Sequence, residues 1–162
     1  MANKQRTSHS PSLPLPPSAM EAKFYYTGLP SAPVLVARSS TNPWELPTGP
    51  EAYQQPKELR PVGNHAPAFM EAWQGDLAPE LFALLDSMKV KWTSTDVVRI
   101  GYAEEYSAPV VLWIGVTPAS LSGDDGVVAV SKCQELLKEH NIDDVEVEIR
   151  ESVVTRWGAW AT

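Results

Sequence analysis

The chain has 162 residues, a hydrophobic fraction of 43%, 15 prolines, a single cysteine and a formal charge of −7. That balance offers no basic field to nucleic acid or to an anionic membrane surface, and the lone Cys133 closes no internal disulfide. No apolar stretch reaches the ~20 residues of a membrane-spanning helix and Met1 to Ser12 is polar throughout, so the expected compartment is intracellular, by default cytoplasmic.

Residues 1–20 are rich in serine and proline, with Pro14-Leu15-Pro16-Pro17 near their end. Proline removes donors, and little apolar surface is present to offset ordering entropy. The expectation is a disordered, solvated tail. Residues 21–75 form a second region, a long extended segment packed on the core. Phe24-Tyr25-Tyr26 and Pro33-Val34-Leu35-Val36-Ala37 are its apolar pieces, separated by the turn residues Gly28-Leu29-Pro30. Either piece fits an edge strand or an arm laid on the core. From Asn42 to Ala68 prolines and glycines recur too often for a helix or a central strand. Trp44, Leu46, Tyr53, Leu59 and Val62 are spaced along this stretch like anchors on a surface.

Residues 76–156 read as the folded domain. Leu77, Leu81, Leu84, Leu85 and Met88 recur at helical spacing, with Pro79 suited to a first turn. Phe69, Met70 and Trp73 suggest a short helical turn just before. Alternation over Asp96 to Tyr102 predicts a strand. A short hairpin connection then leads to Val110-Val111-Leu112-Trp113-Ile114-Gly115-Val116, an apolar run suited to a strand covered on both faces. Ser122, Asp124 and Asp125 are competent caps for a helix from about Asp125 to His140, and Asn141 suits its left-handed terminator. A last strand places Val145, Val147 and Ile149 on one face and Glu146, Glu148 and Arg150 on the other. A hairpin followed by a right-handed crossover gives a mixed sheet. The expected fold is α/β in the broad sense (α+β), a small two-layer α-β-β-α-β domain with both helices on one face. Residues 157–162 form a short C-terminal end.

Candidate chemistry is sparse. Ser122-Gly123-Asp124-Asp125-Gly126 superficially matches a serine-peptidase nucleophile loop, but Asp125 stands where that loop requires serine. A helix-capping loop is the better reading. Asp96, Glu146, Glu148 and Glu151 are an alternative acidic cluster, whose strand-end carboxylates suit a metal-dependent nuclease or hydrolase. Against it, Glu146 and Glu148 alternate away from the apolar side, which reads more simply as a solvated, aggregation-resistant sheet edge. The three histidines are scattered and have no zinc spacing, and Cys133 on an apolar helix stripe reads as a buried structural thiol. No cofactor is implied. Aromatic material in the approach and at the end, notably Trp44, Tyr53, Trp157 and Trp160, reads as a binding surface for another protein or domain.

Several stretches carry a family resemblance: Tyr26-Thr27-Gly28-Leu29-Pro30, the run from Lys91-Trp92-Thr93 to Arg99-Ile100-Gly101, Leu112-Trp113-Ile114-Gly115-Val116, Leu121-Ser122-Gly123-Asp124-Asp125-Gly126, and Val147-Glu148-Ile149-Arg150-Glu151-Ser152-Val153-Val154. Over about residues 24–156 the chain resembles the N-terminal region of uncharacterised mushroom-type fungal (basidiomycete) proteins. In the longer members this region precedes a domain resembling a trypsin-like serine peptidase. The resemblance implies a truncated relative without that domain, onto which no catalytic residue carries over. With no Ser-His-Asp set and no metal-ligand spacing in the sequence, the expected reading is a non-catalytic module acting by contact, whose partners are another protein, a peptidase-like domain or a second copy of itself.

Overall fold

The computed structural model describes residues 14–46, 56–63, 67–102 and 108–153. Ten elements follow in chain order. They are α1 (Ala19–Phe24), β1 (Leu35–Arg38), β2 (Lys57–Arg60), α2 (Pro67–Ala72), a wide π-type turn (Trp73–Leu77), α3 (Ala78–Ser87), β3 (Trp92–Tyr102), β4 (Val110–Val116), α4 (Gly123–Glu139) and β5 (Val145–Glu151). None of the described helices is long and apolar enough to cross a membrane.

The strands form one mixed sheet in the order β1-β5-β4-β3-β2. β3 and β4 make the expected antiparallel pair, and β5 lies parallel to β4 after the α4 crossover. The approach segment contributes both edges: β1 pairs antiparallel with β5, and β2 with β3. β5 is therefore an interior strand rather than an edge.

Local chemistry explains the helices. The Ser122 side chain accepts from the Asp125 N–H at 3.1 Å and so caps α4, with Asp124 and Asp125 in the favoured first turn. Asn141 takes a left-handed conformation (φ 62°) just beyond the helix. Gly75, at φ −89° and ψ −115°, leaves the helical region and separates α2 from α3. Pro79 sits in the first turn of α3, where its missing N–H costs no hydrogen bond.

The main core lies between the sheet and helices α2, α3 and α4, with Leu77, Leu81 and Leu85 meeting Leu112, Ile114, Val147 and Ile149. α4 also crosses β1 closely. A Cβ on Gly126 would come within 2.9 Å of Val36 Cγ1 and 3.0 Å of the Ala37 Cβ. The opposite sheet face is covered too. Tyr26 and Leu29 pack there against Leu35, Ile100, Val111 and Trp113 as a second, smaller core. The expected two-layer domain thus gains a partial third layer from the segment around α1.

This bears on the residue assignments made from the sequence. α1 begins at Ala19, inside the stretch assigned to a disordered tail, because Ser18 caps it through the Glu21 N–H at 3.1 Å. Residues 1–13 lie outside the described residues, as do Tyr53, Trp157 and Trp160. Phe24-Tyr25-Tyr26 forms the end of α1 and the turn after it, whereas Leu35–Arg38 does add as an edge strand.

Candidate functional site

The site lies on the sheet face opposite α2, α3 and α4, and it begins with Glu148. This residue alternates with Val147 and Ile149 as expected, but the face it points to is covered, leaving it 5% exposed. Its Oε1 accepts from the Tyr26 hydroxyl at 2.7 Å and its Oε2 from the Tyr25 hydroxyl at 3.2 Å. Both tyrosines are delivered by the turn that follows α1. The Trp113 indole N–H donates in turn to the Tyr26 oxygen at 3.0 Å, with the two rings edge to face at 5.5 Å.

Gly28 brings this turn against β2. At φ 105° its backbone approaches so closely that a Cβ would lie 2.6 Å from the Lys57 nitrogen. The Lys57 N–H donates to the Thr27 carbonyl at 2.8 Å. As a result the Lys57 ammonium lies over the Tyr25 ring, 3.2 Å from its centroid. Arg38, at the end of β1, faces the same ring from 5.2 Å and donates through Nε to Glu21 at 2.7 Å.

Burial raises the Glu148 pKa above its ordinary value, opposed by the two phenol hydrogen bonds and by the charges of Lys57 and Arg38. Burial and the adjoining carboxylate also push both tyrosines well above the usual phenol range. The phenols therefore remain protonated donors, and their hydrogen bonds, together with the Lys57 and Arg38 charges, favour the ionised form of Glu148 against its burial. This arrangement holds and orients groups but presents no activated nucleophile.

Beside it opens a cleft of about 300 Å³. Tyr25, Arg38 and Lys57 line it together with Trp44, Tyr102 and the carboxylates Glu146 and Glu148. Trp44, singled out in the sequence as an anchor, is half-buried here.

The acidic cluster does not assemble. Asp96 and Glu148 are registered to opposite sides of Trp113, about 10 Å apart by two strand spacings. Arg150 fills the space between, its guanidinium 3.5 Å from the Trp113 ring centroid and 3.5 Å from Asp96 Oδ2. Glu146 accepts from the Ser39 hydroxyl at 2.7 Å, and Glu151 from the Ala119 N–H at 2.9 Å. Among the described residues no group of three or more His, Cys, Asp or Glu side chains is placed to hold a metal ion. The solvated-edge reading of Glu148 is likewise corrected, because β1 and the α1 segment bury it.

Other assignments find direct counterparts. Cys133 is fully buried and its thiol is pushed up to about 12 by desolvation. His140 closes α4 and its Nε2 approaches Glu80 Oε1 on α3 at 3.2 Å.

Sequence reasoning missed Arg38, Lys57, Tyr25 and Tyr26 as parts of one site. The available signal was the adjacent tyrosine pair before a glycine turn. Nothing in the sequence spacing joins it to a glutamate more than 120 residues away.

The fold and site define a class: a small α+β domain with a five-stranded mixed sheet, carrying an aromatic-lined polar cleft on the face away from α2, α3 and α4. No family model, curated protein or solved structure matches the chain.

Proposed function

We propose that this chain is a non-catalytic binding module that works by contact with a segment of another protein or domain, received in the cleft rimmed by Trp44 and Tyr102. The observation that carries this reading is the cleft itself, lined by the aromatic rings of Tyr25, Trp44 and Tyr102 together with Arg38, Lys57, Glu146 and Glu148. At about 300 Å³ it lies at the small end of ligand-binding cavities. Such a volume suits one anchoring side chain of a partner, in the manner of an interface hot spot. The family resemblance names a trypsin-like peptidase domain as the first partner to try, and a second copy of the chain as the next.

Sedimentation of the full chain, alone and mixed with a trypsin-like peptidase domain, tests the proposal. A complex in either case, weakened about tenfold or more by Trp44→Ala, is the expected result for loss of a central aromatic anchor. A chain that remains monomeric and binds nothing argues against it. Metal-dependent hydrolysis that disappears in Asp96→Asn would overturn it in favour of a nuclease or hydrolase.

A further inference from the structure

The charged groups lining the cleft are Arg38, Lys57, Glu146 and Glu148. Arg38 is neutralised where it stands: Nε pairs with Glu21 at 2.7 Å, Nη1 donates to the Ser40 carbonyl at 3.2 Å and Nη2 to the Asn42 carbonyl at 2.7 Å. The Lys57 ammonium is seated on Tyr25, and its charge acts on the Glu148 carboxylate. Glu146 remains. Its Oε1 accepts from Ser39, and the described ion pairs, which involve Arg38, Arg60, His140 and Arg150, do not include it. Glu146 is therefore the cleft carboxylate outside the described ion pairs and away from the Tyr25–Lys57 stack, and it lines the cleft with Trp44 and Tyr102 on a chain whose overall charge is −7.

Aromatic faces beside a carboxylate recognise cations. The same pocket wall already does so internally, since the Lys57 ammonium lies 3.2 Å from the centroid of Tyr25 and 5.5 Å from that of Tyr102. We propose that the cleft receives a basic side chain, lysine or arginine, of the partner polypeptide, recognised by Glu146 together with Trp44 and Tyr102. This rests on the contact reading above and gives it a ligand chemistry. Coulomb attraction to a net-negative chain would speed the encounter, and the Glu146 carboxylate would select against acidic segments.

The test uses the full chain and blocked tripeptides, acetyl-Gly-X-Gly-amide, with X as lysine, arginine, norleucine or glutamate. Side-chain NMR signals of Trp44 and Tyr102 report occupancy. Saturable shifts with the lysine and arginine peptides are expected, and none with norleucine or glutamate. Glu146→Gln should weaken the lysine peptide about tenfold, the scale of one desolvated cation contact, while the amide spectrum shows the fold intact. Equal shifts from norleucine, preference for glutamate, no saturable shift from any peptide, or an unchanged affinity in Glu146→Gln would each overturn the assignment. The two levels fail separately. A complex that forms, depends on Trp44 and ignores Glu146→Gln removes only the basic-side-chain assignment. A complex indifferent to Trp44→Ala removes the cleft as the contact surface.

Discussion

Glu148 and Trp113 show how one side chain's setting sets its energetics. In the unfolded chain Glu148 titrates near 4.5, and burial raises that value in the fold. The folded state therefore holds this proton more tightly, so stability falls as pH rises from 4.5 through the folded value and levels off above it. Glu148→Gln has no such titration. The stability of the native chain relative to this variant should be greatest below pH 4.5 and shrink toward neutrality. Urea melts across that range check it, and a difference that grows with pH refutes it. Trp113 is 6% exposed and touches Tyr26, Arg150 and the second core. Trp113→Ala should cost about 3–5 kcal/mol, the usual penalty for removing a large buried ring. A loss below about 1 kcal/mol in denaturant melts would mean that β4 is not central.

At the scale of elements, the contact between α4 and β1 ties the approach segment to the helical layer. It depends on Gly126, where an added Cβ would meet Val36 and Ala37 at 2.9 and 3.0 Å. Both neighbours are buried and have little room to shift. Gly126→Val should therefore destabilise by about 1–3 kcal/mol, as overpacking commonly does, although valine removes the entropic cost of a helical glycine. Thermal melts decide it, and a variant with unchanged Tm would show that β1 moves freely. β1 also explains why β5 is not an edge. Its four residues pair with Glu148, Ile149 and Arg150 through a bulge, and α1 is fastened to it by Arg38 and Glu21. A six-residue helix is too short to persist alone, so α1 exists by virtue of its cap and these tertiary contacts.

For the whole molecule, the two cores place different demands on the chain. The helix-side core is built mainly from residues 67–149, while the second core depends on Tyr26, Leu29 and Leu35 from the approach. A chain beginning at Pro33 should keep the helical layer but uncover Val111, Trp113 and Glu148. It should then bind a hydrophobic dye and unfold at lower denaturant than the full chain, with exposed apolar surface as the cause. Dye fluorescence and urea melts equal to those of the full chain would show that residues 1–32 contribute nothing to the fold.

The sequence by itself determined what periodicity and capping chemistry can encode. It set β4 at residues 110–116, the alternation of β5, the Ser122 cap and Asn141 terminator of α4, the buried Cys133 and the mixed pairing of the three main strands. These are local patterns or short connections, and their physics lies within a few residues. Only the tertiary structure decided that the second face is covered. Alternation separates Glu146, Glu148 and Arg150 from their apolar neighbours, yet it does not say whether water or protein faces them. That depends on Tyr25 and Tyr26, more than 120 residues upstream, whose place is set by a glycine turn against β2 and by β1 joining β5. The same distance in sequence hid the cleft: Trp44 was visible as an aromatic anchor, but Lys57, Tyr102 and Glu146 meet it only because two short edge strands close the sheet from opposite sides.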